Sequence, residues 1–337
     1  MGKVTINEVS AAAGVSIKTV SRVLNNEPNV RPETRQRVQQ AAEELNYRPS
    51  QVARTLAGRR SHQIALVYDN PSANYVYHMQ MGAYERATHS NFRLLFQPCA
   101  INDPNTEANV TALIDETHVD GVILSPPVAE STAVIDAIAR RKTPLVRIAP
   151  GSQHEVSPYV FQDDEEASRE MTEYLIALGH QRIGFICGHP DHVASKYRLA
   201  GYTRALDAHG LQQEAELVVS GRFSFESGLD GGRRLLTQAN RPTAIFASND
   251  DMAAGVLTAA HELSLKLPEQ LSVAGFDDTE LADSVWPRLT TIRQPTSAMG
   301  AAAVEMLLEL IETGKTDPKR KLEYRLIRRA STGPVSR

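Results

Sequence analysis

Short apolar segments recur along most of the chain, and stretches long enough for helices separate them. The segments are IALVY, FRLLFQ, DGVILSPP, PLVRIAP, RIGFICG, AIFASND and SVAGFDD. Residues 164–178 and 250–263 are two of the intervening stretches that have helical length. This alternation predicts parallel sheets with right-handed helical crossovers. About 275 residues follow the start of the first segment, which exceeds one comfortable core, so we expect two α/β lobes.

The first 48 residues have a different pattern, which predicts three short helices. Thr5 begins a capping box for the first helix, and Gly14 permits a tight turn after it. Ser16 is a suitable N-cap for the second helix, and Pro32 suits the first position of the third. Two short helices that meet across a tight turn, followed by a third, predict a helix-turn-helix unit. The second helix of such a unit fits the major groove of DNA, which is roughly 12 Å wide.

The second predicted helix has one apolar face and one polar, cationic face. Its apolar positions are Ile17, Val20, Val23 and Leu24, and its polar positions are Lys18, Ser21, Arg22 and Asn25. Taken alone, two basic residues on a helix most often belong to an ordinary solvated surface. The charge distribution favours nucleic acid instead, because residues 1–60 hold ten Lys or Arg against five Asp or Glu. This head carries +5, whereas the remainder carries −9 of the whole-chain charge of −4.

Residues 49–61 predict a hinge segment between the head and the body. Pro49 breaks the preceding helix, and the turn and a half of helix that follows it is too short to be stable alone. Arg54 gives this piece a charge that attracts phosphate, and Leu56 belongs to its small apolar face. A helix that folds only against DNA and a second copy fits these features, and a plain interdomain linker is the alternative.

The segments VTINEVSAAAGVSIKTVSRVLNN and VRPETRQRVQQAAEELNYRPSQVARTLAG, with the body beyond them, resemble the lactose-repressor and galactose-repressor family of bacterial transcription regulators. The resemblance implies a homodimer that binds a pseudo-palindromic operator in double-stranded DNA. It also implies that Leu56 is a wedge in the minor groove, where packing within the hinge is the alternative. The DNA-binding residues that we infer are Thr5, Ser16, Ile17, Lys18, Thr19, Ser21, Arg22, Asn25, Tyr47, Arg54 and Leu56.

The resemblance further implies a body like that of periplasmic sugar-binding proteins, whose strands cross between two lobes. We place the first exchange near Phe161 and the return near Thr291, and KLEYRLIRRAS predicts a last strand. The expected domains are a DNA-binding domain at 1–48, a hinge segment at 49–61 and an effector-binding and dimerisation domain at 62–337. Within the last domain, the first lobe is expected at about 62–160 and 292–320, and the second lobe at about 161–291 and 321–331.

Polar residues directly follow several of the apolar segments. Asn249 comes after AIFAS, Asp277 comes after SVAGF, and Arg198 lies in a stretch beyond RIGFICG. Ligands of open parallel sheets bind beyond the carboxyl ends of the strands, so we expect these side chains to share a cleft. An amide, a carboxylate and a guanidinium together suit vicinal hydroxyl groups, which predicts a small sugar as the effector.

The family resemblance places effector contacts at these three residues. It adds Phe223 as a stacking platform, and Tyr75 and Phe161 as the lining of the first lobe. Arg147 is a further cation near a strand end, where it contacts an acidic ligand group or, as we prefer, neutralises Asp163. Three readings without a ligand compete with this assignment: Asp250 caps a helix, Asp278 caps a turn, and Asp277 pairs with Arg198 as structure.

Enzymatic motifs fail on inspection. ETGKT lacks the earlier Gly of a phosphate loop, and HPDH supplies two imidazoles where zinc requires three or four ligands. The carboxylate pairs Asp163-Asp164 and Asp277-Asp278 are adjacent in sequence, so they are not expected to face each other across a glycosidic bond. We therefore expect no enzyme, no metal and no cofactor.

The chain has no N-terminal apolar signal segment and no long apolar span, so we expect a cytoplasmic protein that does not bind a membrane. Cys99 and Cys187 are expected to be separate and reduced. The predicted function is a sequence-specific transcriptional regulator, specifically a repressor of carbohydrate-utilisation genes that a sugar releases from DNA. The alternatives are a corepressor-dependent regulator that senses a nucleobase or another metabolite, and a sugar-binding or sugar-processing protein without specific DNA binding.

Overall fold

A computed structural model of the chain describes residues 4–24, 28–47, 60–100 and 102–335. The chain divides into two units, one that ends at His62 and one that begins at Gln63. The described part of the first unit forms three helices, α1 (Ile6–Ala13), α2 (Ile17–Leu24) and α3 (Pro32–Glu44). The buried core of this unit comprises Val9, Ala13, Val20, Val23, Val38, Ala41 and Ala42. The predicted helical head is confirmed.

Local signals account for the ends of these helices. The backbone N–H of Thr5 donates to Glu8 Oε2 at 2.7 Å, and hydrogen bonds from Thr5 lower the pKa of Glu8. Gly14 ends α1 in the left-handed conformation with φ 62°. The backbone N–H of Thr19 donates to Ser16 Oγ at 3.2 Å, so Ser16 caps the start of α2.

The second unit contains two parallel sheets, as predicted. The sheet of the first lobe consists of β1 (Gln63–Tyr68), β2 (Arg93–Pro98), β3 (Gly121–Leu124), β4 (Leu145–Ile148), β5 (Tyr159–Phe161) and β11 (Lys319–Lys321), in the spatial order β11-β5-β4-β3-β1-β2. The helices of this lobe are α4 (Ala73–His89), α5 (Thr106–Thr117), α6 (Thr132–Arg140) and α12 (Thr296–Thr313). Apolar clusters on the two faces of the sheet bury β1, β3 and β4.

The second lobe repeats this design around a smaller sheet. Its strands are β6 (Ile183–Ile186), β7 (Val218–Val219), β8 (Ala244–Ala247) and β9 (Ser272–Ala274), in the spatial order β7-β6-β8-β9. Its helices are α7 (Asp164–Ala177), α8 (Val193–Ala208), α9 (Phe225–Leu236), α10 (Asp250–Glu262) and α11 (Glu280–Ser284). An antiparallel pair, β10 (Thr291–Arg293) and β12 (Arg325–Ile327), lies beside this sheet.

The chain crosses between the lobes at three places. It leaves the first sheet after Phe161 and begins the second lobe with α7. It returns between Arg293 and Thr296, because a bridge from Arg293 to Asp277 keeps β10 in the second lobe. The return therefore follows the predicted position near Thr291 by a few residues. The predicted last strand at 321–331 contains β12 and only the last residue of β11, and the segment 322–324 between these two strands is the third crossing.

Glycines bring the backbones of three helix pairs close together. A Cβ at Gly82 of α4 would lie 1.9 Å from the carbonyl oxygen of Ser297 in α12. A Cβ at Gly201 of α8 would lie 2.0 Å from the carbonyl oxygen of Glu165 in α7. A Cβ at Gly228 of α9 would lie 2.2 Å from the carbonyl oxygen of Met252 in α10. Each lobe thus contains at least one helix pair that is packed backbone against backbone.

Candidate functional site

The outer face of α2 presents the residues that the sequence assigns to DNA. Ile17 is 49 % exposed and Lys18 is also exposed, whereas Val20 is fully buried in the head. Thr19, Ser21 and Arg22 are half-buried beside them. Ile17 therefore lies outside the apolar core to which its helical spacing assigned it. An exposed isoleucine next to a lysine at the start of a helix suits contact with base edges and phosphates in a groove.

The remaining DNA-binding predictions differ in how far the structure describes them. Thr5 is exposed at the start of α1, and Tyr47 is half-buried against the core of the head. Asn25, Arg54 and Leu56 lie outside the described residues. Residues 49–59 of the predicted hinge segment also lie outside them.

A cavity of about 40 Å³ lies between the two lobes of the second unit. It is lined by five of the seven predicted effector-binding residues, which are Tyr75, Arg198, Phe223, Asn249 and Asp277. Tyr75 comes from α4 of the first lobe, and the other four come from the second lobe near the carboxyl ends of its strands. These five residues are spread over more than 200 positions of the sequence, from Tyr75 to Asp277, and the fold brings them to one cavity. We call this space the polar cavity.

Five buried side chains form a closed hydrogen-bonded and ionic ring beside this cavity. Arg198 Nε donates to Asp164 Oδ1 at 2.8 Å, and Arg198 Nη1 lies 3.9 Å from Asp277 Oδ1. Gln294 Nε2 donates to Asp277 Oδ1 at 2.5 Å, and Gln162 Nε2 donates to Gln294 Oε1 at 2.6 Å. Gln162 Nε2 also lies 3.5 Å from Asp164 Oδ1, which closes the ring. A buried arginine with two carboxylates satisfies the requirement that charges inside a protein be paired.

The surroundings of Asp277 make its carboxyl group harder to ionise than that of an ordinary aspartate. Burial raises the pKa of Asp277 to about 7, and repulsion from Asp251 and Asp164 adds to this effect, while Arg198 and Gln294 oppose it. The guanidinium carbon of Arg198 lies 3.6 Å from the ring centroid of Phe276. This guanidinium is therefore held in one plane, with its charge directed at the two carboxylates.

Two cavity residues adopt backbone conformations that are rare for L-amino acids. Phe223 has φ 60° and Asp277 has φ 124°. Such conformations cost roughly 1–3 kcal/mol each and persist where the surrounding structure demands them, often at ligand sites. Phe223 is 5 % exposed, and the centroids of its ring and of the His192 imidazole lie 5.5 Å apart in an edge-to-face arrangement. The ring is already packed against protein and presents its remaining surface to the cavity.

Asn249 is the N-cap of α10. Its Oδ1 accepts from the backbone N–H of Met252 at 2.9 Å, and its Nδ2 donates to the carbonyl oxygen of Phe223 at 3.0 Å. The sequence-based alternative that Asp250 caps this helix is therefore wrong by one residue. Asp250 instead accepts from Thr291 Oγ1 at 2.6 Å and from the backbone N–H of Thr279 at 2.9 Å.

Arg147 and Phe161 lie apart from the polar cavity. Arg147 is fully buried, and its three nitrogens donate to Ser157 Oγ and to three backbone carbonyls. Asp163 accepts from Lys321 Nζ at 3.1 Å, so the predicted neutralisation of Asp163 by Arg147 is wrong. A strand-end arginine serves here to hold a loop of the first lobe. Phe161 lines a neighbouring cavity.

The other carboxylates that the sequence singled out take part in ion pairs. The prediction that Asp278 caps the turn before Glu280 finds no support, because its described side-chain contacts are with arginines, including Arg293 Nε at 2.5 Å, and the N-cap of α11 is Thr279. Asp163 and Asp164 point to different cations, Lys321 and Arg198. The adjacent acidic residues therefore diverge, as the sequence predicted.

Sequence reasoning missed several residues of the cleft. Gln162 and Gln294 occupy the segments where the chain crosses between lobes, and His192 was considered only as a metal ligand. Burial lowers the pKa of His192 to about 4, with further contributions from His189 and Arg198, so its imidazole is neutral at pH 7. Ser72 Oγ donates to Asp251 Oδ2 at 2.8 Å across the cleft. Of these residues, only the two glutamines could have been found from the sequence, because both lie close to the predicted crossings between the lobes.

Several absences concern the described residues only. They contain no group of three or more His, Cys, Asp or Glu side chains that could hold a metal ion. Their helices include none that combines the length and the apolar composition needed to span a membrane. Cys99 and Cys187 are free and half-buried, and burial raises the pKa of Cys99 to about 12 and that of Cys187 to about 11.

Comparison with known proteins agrees with both units. Residues 5–50 match the family "Bacterial regulatory proteins, lacI family", and residues 172–332 match the "Periplasmic binding protein-like domain". The HTH-type transcriptional regulator DegA of Bacillus subtilis is 34 % identical over 99 % of both chains. The HTH-type transcriptional regulator AscG of Escherichia coli is 32 % identical over 99 % of both chains.

Two solved structures extend this similarity to the fold. The lac repressor dimer bound to operator and the anti-inducer ONPF aligns with a TM-score of 0.88 and 30 % identity, over 98 % of this chain and 100 % of that one. The complex of the transcriptional regulator CelR with cellobiose aligns with a TM-score of 0.75 and 30 % identity over the same shares. The chain therefore belongs to the LacI family of bacterial regulatory proteins, which are DNA-binding transcriptional regulators with a periplasmic-binding-protein-like domain.

Proposed function

We propose that this chain is a cytoplasmic repressor that binds a pseudo-palindromic operator as a homodimer and leaves it when a small sugar binds between the lobes. The ring of buried polar side chains beside the polar cavity is the observation that carries the proposal. Its guanidinium, carboxylates and amides offer the paired donors and acceptors that vicinal hydroxyls require. The complex of the related CelR with cellobiose supports a sugar as the effector.

The size of the polar cavity connects ligand binding to a movement of the lobes. Its volume of about 40 Å³ has room for a few water molecules, whereas ligand sites typically measure roughly 300–1,000 Å³. A sugar therefore requires the lobes to separate or tilt. That movement breaks contacts such as Ser72 to Asp251, and His78 Nε2 to Glu280 Oε2 at 3.0 Å. The ligand therefore binds the open arrangement of the lobes more tightly than the closed one. Coupling between the ligand site and the DNA site requires such a difference in affinity between two states.

Exposed aromatic side chains on the first lobe support the homodimer. Tyr77 is 56 % exposed and Tyr84 is 48 % exposed, and seven residues separate them, so they share one face of α4. Phe96 is 40 % exposed on β2, the edge strand of the sheet. Large apolar groups and a sheet edge on one lobe are typical of a surface that a second copy covers. In a symmetric dimer, a tilt of the lobes changes the distance between the two heads.

Selection of bound sequences from random double-stranded DNA tests the DNA-binding half of the proposal. We expect an inverted repeat to be enriched by the ligand-free protein. Lys18→Ala should lower the affinity for the selected site by at least about tenfold. It should also reduce the salt dependence of binding, because a protein that makes one phosphate contact fewer releases fewer counterions from the DNA. Lys266→Ala, which removes the same charge from an exposed site in the second unit, should leave both unchanged. No enrichment, or equal effects of the two variants, would refute a specific operator contact by α2.

Asp277→Asn tests the sugar-binding half. The variant keeps an acceptor for Gln294 but loses the negative charge toward Arg198 and hydroxyl groups. We expect unchanged operator affinity without ligand, and loss of release by the sugar that releases the parent protein. Titration of the protein–operator complex with a sugar panel measures this directly. Tighter DNA binding in the presence of a ligand would reverse the sign and make the ligand a corepressor.

A further inference from the structure

A second cavity, of about 190 Å³, adjoins the polar cavity. Ala149, Asp164 and Ala194 line both, so the two spaces share a wall. The second cavity lies where the chain first crosses between the lobes, next to β5 and the start of α7. It has more than four times the volume of the polar cavity. We call it the aromatic cavity, because its walls include His154, Tyr159, Phe161 and Tyr197.

The aromatic side chains form a connected wall. The rings of His154 and Tyr159 are stacked with centroids 4.9 Å apart, and the centroids of Tyr159 and Phe161 lie 5.5 Å apart. The hydroxyl of Tyr197 donates to the carbonyl oxygen of Gly151 at 3.2 Å, which fixes the fourth ring. Pre-positioned aromatic faces offer area to the apolar face of a ring-shaped ligand at a low cost in side-chain entropy.

Gln162 supplies an unused hydrogen-bond acceptor at this cavity. Its side chain lines the aromatic cavity and is 4 % exposed. Its Nε2 donates to Gln294, but its Oε1 is shielded from solvent and has no hydrogen-bond partner among the described residues. Buried acceptors without a partner are rare in folded proteins and are costly. Gln162 Oε1 has no exposed surface in the closed arrangement, so a hydroxyl group of a ligand reaches it only after the separation of the lobes that a sugar requires.

The charges around the aromatic cavity select against an anionic ligand. Asp163, Asp164 and Glu165 line it, and its described lining contains no Lys or Arg. The cations that pair with these carboxylates, such as Lys321 with Asp163 and Arg198 with Asp164, do not line the cavity. A phosphate or carboxylate group placed here would meet negative charge without a compensating cation. An uncharged ligand with hydroxyl groups meets none of this repulsion.

We propose that the aromatic cavity is a second subsite of the effector cleft and takes the second ring of an uncharged two-ring glycoside. The first ring then binds at Arg198 and Asp277, and the second stacks on the aromatic wall and donates to Gln162 Oε1. This inference rests on the proposed function, since it requires that the cleft bind a sugar. It narrows the effector class from small sugars in general to neutral disaccharides and glycosides with a hydroxylated second ring.

Calorimetric titration of the ligand-free full chain tests the inference. The probes are common neutral disaccharides, each paired with the methyl glycoside of its non-reducing sugar. We expect at least one disaccharide to bind about tenfold more tightly than its methyl glycoside. Tyr197→Ala and His154→Ala should each remove most of that advantage and leave the affinity for the methyl glycoside unchanged. Tyr197→Phe keeps the ring and loses only the hydrogen bond to Gly151, so it should retain most of the advantage.

The controls separate the subsite from stability and from the proposed function. Tyr174→Ala removes a half-buried tyrosine of α7 that does not line the cavity, and we expect both affinities to remain unchanged. Equal affinities for disaccharides and methyl glycosides would overturn the subsite and leave the sugar-binding proposal intact. Equal losses of both affinities in Tyr197→Ala would also overturn the subsite. Binding by none of the probes would overturn the sugar-binding proposal itself.

Discussion

Asp277 should make the ligand-free protein less stable as the pH rises, and Asp277→Asn should remove that dependence. The pKa of Asp277 rises on folding from 3.8 to about 7, chiefly because of burial. The folded state therefore retains the proton at pH values where the unfolded state has lost it. Stability from this group is fully present below pH 3.8, decreases as the pH rises, and is lost once the pH exceeds about 7.

The size of the effect follows from this shift. Each unit of pKa difference corresponds to about 1.4 kcal/mol, and most of the interval between 3.8 and 7 lies above pH 5. Between pH 5 and pH 8.5, the parent protein should lose roughly 2–3 kcal/mol relative to Asp277→Asn. The variant keeps the acceptor for Gln294 and the volume of the side chain, so packing changes little.

Urea unfolding of the ligand-free proteins at the two pH values measures this difference. Asp136→Asn makes the same chemical change at an exposed position of α6 and should show the same pH dependence as the parent protein. A stability difference between Asp277→Asn and the parent that is equal at both pH values would refute the argument. It would mean that Arg198 and Gln294 fully compensate the buried charge.

Two further predictions concern packing. Gly82→Ala should lower the stability of the second unit by about 1–3 kcal/mol, because the added Cβ lies 1.9 Å from the carbonyl oxygen of Ser297. Thermal unfolding of the variant and of the parent protein measures this difference. Val20→Ala should destabilise the head by roughly 1–3 kcal/mol and weaken operator binding, while limited proteolysis should leave the second unit intact. Unchanged operator affinity in that variant would show that α2 is ordered by DNA and not by the core of the head.

Local patterns were sufficient for most elements of the fold. Thr5, Gly14 and Ser16 set helix ends through interactions within five residues, so the head could be predicted from short stretches of sequence. The four-residue buried strands were equally clear, since β3, β4, β6 and β8 are apolar throughout except for Arg147. β5 and β7 have three and two residues, which is too short for a periodic signal.

The candidate site was predictable where position after a strand decides the location of a side chain. Asn249 and Asp277 follow β8 and the segment after β9, and both line the polar cavity. Gln162 and Gln294 are separated by 132 residues, and only the crossing of the chain between lobes brings them into contact. The sequence could not decide whether Asn249 or Asp250 caps α10, because the two are adjacent and Asn and Asp are equally good N-caps. Arg147 finds its partners in backbone carbonyls, which have no sequence signature.

The helix pairs that meet through Gly82, Gly201 and Gly228 limit how the lobes are able to move. Where two helix backbones are in direct contact, no flexible side chains lie between them to accommodate sliding of one helix along the other. Shear within a lobe is therefore costly, and each lobe should rotate as a rigid body about the three crossing segments. The bending falls on a few backbone torsions near Gln162, Gln294 and residues 322–324. Two of these pivots, Gln162 and Gln294, belong to the hydrogen-bonded ring beside the polar cavity, so residues of the proposed effector site are also those about which the lobes turn.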